Sequence, residues 1–339
     1  MRERGDDKPV LDYIQTSLNL GNVICNGKFC RFSVYRKTDI KEIISVFSKY
    51  PLNSSKRLNF EDWKKAFELY NDENINGNRE NILSIVEKLR EGMNKGRYYE
   101  TFKVDDVKIT KYWLLGFIEG EGSFNFQKKG FAVTFTLGQV SRDKPLLEKI
   151  VEFLKSHSGN LYTKESFLTI YDKAKENNIN QNPYSEIRSS SLYSLRKVLV
   201  PLLSDLNWRS KKYKDFKDWT LVLDLKAAGL HTASEGKELI LKIYSQMNNN
   251  RLSTKKSDVN VDVDKLHYEI KLLLAKSTDH TSKANSVNLH LENGELVMSF
   301  PSIYSCAKFL GVNKYRVSQS LTLNKPFNVD NKVYYVRNA

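Results

Sequence analysis

The chain has 339 residues, a formal net charge of +14 and a pI near 9.4, with 40% hydrophobic and 28% charged residues. That length accommodates two or three globular domains. The basic excess runs along the whole chain, which points to a polyanion as partner, nucleic acid before membrane. No apolar run reaches the roughly 18 residues of a membrane span, and no hydrophobic leader opens the sequence, so membrane insertion and the secretory route are excluded as written. Three cysteines, Cys25, Cys30 and Cys306, are too few for a disulfide framework, and Cys25 and Cys30 are expected as buried small apolar residues.

In chain order, the first third predicts a helix from Asp7, strands around Val23 and Phe29–Tyr35, a helix over Asp39–Tyr50, a segment around Trp63, and a helix over Glu80–Met93. The next part predicts a helix at Tyr112–Glu119, then strands Ser123–Gln127 and Phe131–Val140 joined by Lys128-Lys129-Gly130. In the second strand Phe131, Val133, Phe135 and Leu137 alternate with Ala132, Thr134 and Thr136, which gives one apolar and one small polar face. A helix over Lys144–His157, strands near Ser166–Asp172 and Tyr184–Arg188, a helix over Leu192–Leu206, a basic Lys211–Trp219 segment and a helix over Lys237–Met247 complete the series.

Two stretches of this series are one piece of protein used twice. Ser55–Trp63 lines up with Lys211–Trp219, Met93–Arg97 with Met247–Arg251, Asp7-Lys8-Pro9-Val10-Leu11 with Asp143-Lys144-Pro145-Leu146-Leu147, and Gly21-Asn22 with Gly159-Asn160. Matches in the same order indicate a duplicated unit of roughly 150 residues. The second copy extends back to about Ile109, whereas the first has only Met1 to Asp6 there. The predicted organisation is an incomplete first repeat over 1–104, a second repeat over 105–253, a linker with a short helix (Leu266–Leu274) over 254–286, and a small module over 287–339. The module predicts a hairpin around Asn293-Gly294 and helices Ser302–Leu310 and Lys314–Leu321. Gly311-Val312-Asn313 turns between the helices, the layout of a helix-turn-helix with Tyr315, Arg316, Ser318 and Gln319 on the second.

The chemistry concentrates in Trp113-Leu114-Leu115-Gly116-Phe117-Ile118-Glu119-Gly120-Glu121-Gly122-Ser123-Phe124. Glycines four apart on an apolar helix clear a groove for a second helix, and the helix ends on Glu119 and Glu121. The bland alternative is a buried helix with a solvated acidic end. This stretch resembles the LAGLIDADG motif of homing endonucleases and intron maturases: Leu114 to Gly122 match it position by position, with Glu for Asp at both acidic places. Phe124, the hairpin, Gln139 and the helix after it continue the likeness over roughly residues 7–253. The resemblance implies an α+β fold: two pseudo-symmetric αββαββα repeats forming a DNA-binding β-saddle, here with the first repeat incomplete and a helix-turn-helix module at the end. That module resembles the small DNA-binding modules at the ends of intron-encoded endonucleases.

By the same resemblance, Glu121 is the metal ligand, Gln139 helps order the hydrolytic water, and Arg188 faces the scissile phosphate with Arg36 as its equivalent in the first repeat. For both arginines a solvated surface residue is the competing reading. The implied cofactor is Mg²⁺ (or Mn²⁺), whose hard charge takes carboxylate oxygens. Double-stranded DNA at an intron-insertion site is the implied partner, held by Lys211, Lys212 and Lys214 and, on the module, by Lys314, Arg316 and Gln319. Abundant Asn, Lys, Ile and Tyr suggest an A·T-rich genome, such as a fungal mitochondrial one.

The first half has no counterpart of Glu121; Asp6 and Asp7 fall at a helix start, where carboxylates suit the dipole. The missing part then lies upstream in a longer product, or a second polypeptide supplies it, or the protein is a degenerate binding remnant. A partnerless helix is expected to leave Leu114, Leu115, Phe117 and Ile118 partly exposed and favour self-association. A site-specific, intron-encoded DNA endonuclease leads. An RNA-binding maturase of a group I intron comes second, since binding needs no carboxylate pair. A transcription-factor-like DNA binder comes last, because it gives the glycine helix no purpose.

Overall fold

The duplication is visible in the pairing of the strands. The structure, a computed structural model, describes residues 2–72, 79–94, 97, 107–161, 167–173, 183–251, 261–277, 286–300, 302–330 and 332–339. The first unit comprises β1 (Arg2–Arg4), α1 (Lys8–Leu18), β2 (Asn22–Asn26), β3 (Phe29–Ser33), α2 (Lys37–Lys49), α3 (Lys56–Tyr70) and α4 (Arg79–Glu91). The second comprises α5 (Lys111–Glu121), β4 (Gly122–Phe126), β5 (Val133–Val140), α6 (Lys144–Ser156), β6 (Thr169–Lys173) and β7 (Tyr184–Ser189). It continues with α7 (Leu192–Ser194), a π turn (Leu195–Leu199), α8 (Val200–Ser204), α9 (Lys212–Ala227) and α10 (Ser234–Gln246). The π turn precedes Pro201, which has no N–H to give the helical ladder.

The second unit's sheet has the order β4-β5-β7-β6 and the first unit's β1-β3-β2, all antiparallel. Matching β1 to β5, β3 to β7 and β2 to β6 makes the two sheets agree, with one strand fewer in the first. Each of β1 and β5 leads through a 3-10 turn ending at Asp7 or Asp143 into a helix opening Lys-Pro. Among the described residues the first unit shows no counterpart of α5 or β4. Strand β1 itself was not expected from the sequence; three residues between an end and a turn carry no alternation to read.

A second correspondence is a polar clamp. Asn248 and Arg251 donate to Asp215 Oδ1 (3.0 and 2.8 Å), and Arg251 also pairs with Asp218. In the first unit Asn94 and Arg97 donate to Asn59 Oδ1 (3.0 and 2.9 Å), and Arg97 pairs with Asp62. Asn94 and Asn248 both have φ of 55°, the left-handed conformation that asparagine tolerates. The acceptors sit at i and i+3 of α3 and α9, on one face of each helix. The units also touch across the duplication: Asp143 accepts from the Ser55 N–H (2.7 Å) and hydroxyl (3.0 Å), and the Arg209 guanidinium lies 3.9 Å from the Tyr13 ring centre.

The cores differ in size. Around the second unit, Leu114, Leu115 and Ile118 of α5, Phe124, Phe135 and Leu137 of the sheet, and Leu146, Leu147, Ile150 and Leu154 of α6 form one buried cluster with α9 and α10. Each such side chain contributes about 2 kcal/mol of apolar burial. The first unit's buried cluster is Leu11, Leu20, Cys30 and Phe32. Trp219 of α9 is fully buried against Phe124 of β4 (ring centroids 5.2 Å) and donates its Nε1–H to Asn125 O (3.2 Å). Its counterpart Trp63 has no such strand to lie against; it is 36% exposed and rests on Phe60 and Phe67 of its own helix.

Several expectations change. Cys25 and Cys30 are not two buried thiols: they face each other across the β2–β3 hairpin and form a disulfide, Cys25 being exposed. Cys306 is buried and free, and burial raises its thiol pKa to about 12. The basic Lys211–Trp219 segment forms the opening of α9, a helix of its own before α10. The expected linker helix is α11 (Val263–Ser277), docked on the core through Leu266, Ile270 and Leu273, with His267 Nε2 bonded to Asp218 Oδ1 at 2.6 Å.

The terminal segment forms β8 (Val287–Leu291), β9 (Leu296–Phe300), α12 (Ile303–Leu310), α13 (Lys314–Leu323), β10 (Phe327–Val329) and β11 (Lys332–Asn338), with sheet order β10-β11-β8-β9. Ser302 and Asn313 cap the two helices by accepting from Ser305 and Tyr315 N–H, and Gly311 ends α12 at φ 65°. It has its own core (Val287, Leu289, Phe300, Cys306, Val317, Val336) and meets the second unit through few polar contacts. Ser299 N donates to Asn160 O (2.7 Å), Asn160 Nδ2 to Leu296 O (3.1 Å) and Tyr193 OH to Ser299 O (3.1 Å).

Candidate active site

Thr110 starts α5 by accepting from Trp113 N–H, and the helix runs into β4 without a loop. Gly122 makes that junction: any Cβ there would overlap Ile118 O. Leu114, Leu115 and Ile118 face the core, so the expected exposure of these three is not found; only Phe117 is half-buried, its ring stacked on Trp113 at 4.9 Å. The open side of α5 carries Tyr112, Gly116 and Gly120, and a Cβ at either glycine would meet no atom within 4 Å. Among the described residues, this side is open at the two glycines.

The two acidic residues at the end of α5 have different duties. Glu119 Oε1 accepts from Arg209 N–H (2.8 Å), Ser210 N–H (2.6 Å) and Ser210 hydroxyl (2.8 Å), tying the helix end to the segment before α9. Glu121 is exposed and makes no hydrogen bond or ion pair among the described residues. Beside it, Lys212 Nζ donates to the carbonyls of Gly122 (2.7 Å), Ile118 (3.2 Å) and Gly120 (3.4 Å). Burial lowers the Lys212 pKa below its usual value, against the opposing charges of Glu121, Asp215, Asp7 and Glu119. A desolvated lysine ringed by carboxylates at a helix end marks a functional centre more strongly than a surface cation does. The sequence placed Lys212 with the DNA-contacting lysines. The structure turns it inward, leaves Lys211 half-buried at the cap of α9, and exposes Lys214.

Asp7 of the first unit is among the charges acting on Lys212, after Glu121 and Asp215. Asp7 caps α1 as Asp143 caps α6, so it is a turn residue and no equivalent of Glu121.

Gln139 ends β5, half-buried and paired with Ser185, with Oε1 accepting from Val140 N–H at 3.3 Å. Arg188 is level not with Glu121 but with Ser123. It lies on β7 in the row of Thr136 and Thr169, its guanidinium bonded to Glu186 (2.5 Å) and 5.2 Å from the Tyr171 ring centre. Nor is Arg36 its equivalent. Register matches Arg188 to Ser33, since Asn22↔Ser33 answers Thr169↔Arg188, and Arg36 stands at the cap of α2 as Ser191 does at the cap of α7. On the module, Lys314, Arg316 and Gln319 share the exposed side of α13, while Val317 and Ser320 face inward.

The residue the sequence did not disclose is Tyr184. Its ring crosses Gly138, where any Cβ would overlap the phenol, and its hydroxyl makes no hydrogen bond among the described residues. Burial, then the charges of Glu186 and Glu121, raise its pKa above the usual tyrosine value, so it remains a donor.

A model of the LAGLIDADG endonuclease family matches residues 2–67 and 114–223, together more than half of the chain. The chain belongs to this family. It is 25% identical over 361 residues to the uncharacterized mitochondrial protein RF1 of Saccharomyces cerevisiae, covering 98% of this chain and 74% of that protein. It is 30% identical over 178 residues to the probable intron-encoded endonuclease Cox1-I1b of Schizosaccharomyces pombe, covering 47% of this chain and 44% of the relative, so it spans less than half of that protein. Among solved structures, the LAGLIDADG homing endonuclease I-GzeII in complex with its DNA target superposes with a TM-score of 0.62 at 25% identity, over 74% of this chain and 88% of that one. I-SmaMI bound to cleaved DNA shares the fold, with a TM-score of 0.62 at 20% identity over 74% and 86% of the two chains. The mixed α+β fold with two repeats, expected from the motif, is the family's. Among the described residues no helix is long and apolar enough to cross a membrane.

Proposed function

We propose that this chain acts as an intron-encoded, site-specific DNA endonuclease whose one acidic cleavage group is Glu121. The observation that carries the reading is an exposed carboxylate at the α5–β4 junction, without hydrogen bond or ion pair among the described residues, beside a helix face open at Gly116 and Gly120. Among the described residues no three His, Cys, Asp or Glu side chains gather as a complete metal cage. A single free carboxylate fits Mg²⁺, which keeps several waters and completes its shell with substrate phosphates. Such an ion would neutralise charge building on the phosphate and the leaving oxygen.

The chain's own groups do the rest. Glu119 and Lys212 fix the end of α5 and so the direction of Glu121. The Lys212 ammonium adds positive charge where the phosphate becomes more negative. Gln139 lies on the opposite face of β5 from Gly138, and its water-ordering role rests on the resemblance to the motif. Lys214 and the α13 cations Lys314 and Arg316 serve backbone phosphates, and Gln319 serves base edges.

Among its described residues the first unit shows no second Glu121, so on this reading two-strand cutting requires a helix like α5 from another segment, seated on the Gly116/Gly120 face. Glu121→Gln is the test. In the form that nicks DNA, Mg²⁺-dependent nicking should fall by at least a hundredfold while duplex affinity stays within twofold, about the loss expected for a directly acting group. Retained nicking would remove Glu121 from the mechanism. A second reading, binding of group I intron RNA without cleavage, is supported by the single carboxylate. Fungal mitochondrial encoding is supported by the composition and by the relatives.

A further inference from the structure

The polar face of the second unit's sheet carries a tyrosine, Tyr184, whose hydroxyl lies over Gly138 and is bonded to none of the described residues. On β5, Gly138 and Val140 share a face; on β7, Tyr184 and Glu186 lie on the same side, paired as Val140↔Tyr184 and Gly138↔Glu186. On β4, Gly122 pairs with Leu137, so Glu121 leaves the strand level with Gly138. The Tyr184 ring reaches back across the sheet and fills the space that a side chain at Gly138 would take, bringing its hydroxyl next to the row from which Glu121 emerges. The ring remains 38% exposed, so the hydroxyl is not sealed into the core.

Two features show that the hydroxyl is uncommitted. It makes no hydrogen bond among the described residues, although Glu186 on the same face bonds both Lys173 (3.1 Å) and Arg188 (2.5 Å). The Lys173 ammonium lies 5.8 Å from the Tyr184 ring centre and is bonded to Glu186, not to the phenol oxygen. The Glu121 carboxylate is likewise unpartnered among the described residues. A free neutral donor and a free anion thus flank one glycine on the face that the fold turns outward. The hydroxyl oxygen is the atom nearest the place a Cβ of Gly138 would take, so the glycine is what lets the phenol reach this row.

We infer that Tyr184 is a positioning residue of the cleavage centre: its hydroxyl donates to an oxygen, of water or of a DNA phosphate, held by the cation that Glu121 binds. This rests on the reading of Glu121 as the metal-binding carboxylate. Gly138 is then part of the centre, because any larger residue there would push the phenol away. Groups that hydrogen-bond a metal's oxygen ligands tune affinity by about ten- to a hundredfold when removed.

The test uses the full chain and Mn²⁺ alone, so it needs no target sequence and no cleavage. Free Mn²⁺ is followed by electron paramagnetic resonance, and the protein carries 3-fluorotyrosine, with the Tyr184 ¹⁹F line assigned by its loss in Tyr184→Phe. Mn²⁺ should broaden the Tyr184 line while sparing Tyr304 and Tyr315 of the terminal module. Tyr184→Phe should weaken Mn²⁺ binding about tenfold, and Gly138→Ala should do the same by displacing the phenol. Glu121→Gln should abolish both binding and broadening. Unchanged Mn²⁺ affinity in Tyr184→Phe, or an unbroadened Tyr184 line when Glu121→Gln still abolishes binding, overturns the inference. Mn²⁺ binding that survives Glu121→Gln overturns the reading of Glu121, and the inference with it.

Discussion

Trp63 and Trp219 occupy one position of a duplicated helix, yet their surroundings differ by a strand, and that difference can be weighed. Trp219 is fully buried against Phe124, with its indole N–H satisfied by Asn125 O. A buried tryptophan removes roughly 150–250 Å² from water, worth about 4–6 kcal/mol at about 25 cal/mol per Å². Large-to-alanine changes at aromatic core sites cost about 3–5 kcal/mol, so Trp219→Ala is expected to cost about 4 kcal/mol. Trp63, 36% exposed and supported by Phe60 and Phe67 on its own helix, leaves no closed cavity when truncated. Its replacement should cost about 1–2 kcal/mol. Urea unfolding of the two single variants, followed by far-ultraviolet circular dichroism, reads the difference. Equal costs, within about 0.5 kcal/mol, would refute the claim that a strand equivalent to β4 is what the first unit lacks.

Deleting residues 287–339 should lower duplex affinity without moving the cut position, because the module meets the core through few polar contacts. If Lys314 and Arg316 contact phosphates, the logarithmic salt dependence should flatten by about two ion equivalents; an unchanged titration would count against the helix-turn-helix reading. Lys212 binds its proton more weakly folded than unfolded, so its charge costs stability at neutral pH. That cost is relieved as pH rises from its lowered folded value toward the ordinary 10.5. Lys212→Met should flatten this alkaline rise in urea stability while abolishing nicking; a variant with the wild-type pH dependence would show that the ammonium is solvated.

Much of this fold could be read because duplication supplies an internal control. The spacing of Leu146, Leu147, Ile150 and Leu154 predicted α6, and the alternation in Phe131–Leu137 predicted β5. The repeated Asn and Arg after Met93 and Met247 turned out to be the clamp on α3 and α9. What failed did so for physical reasons. The repeat read from sequence puts Arg36 in the place of Arg188, but strand register, which fixes faces, gives Ser33. The Cys25–Cys30 contact depends on where the β2–β3 hairpin turns, and a spacing of five does not state that. Lys212 looked like one cation of a basic cluster, because sequence does not show which lysine of a helix's first turn faces another helix's carbonyls. Tyr184 carried no signal at all: its position depends on a glycine in a neighbouring strand.

The claim on which the account turns is that one Glu121, one open glycine face and a basic surface make a chain that holds nucleic acid but cannot cut both DNA strands by itself. The most direct measurement is a nuclease assay on the purified 339-residue chain with Mg²⁺ and a duplex carrying a matched intron-insertion site, with binding followed in the same samples. The account predicts salt-sensitive binding with at most slow nicking of one strand. Efficient double-strand cleavage by the monomer would contradict it.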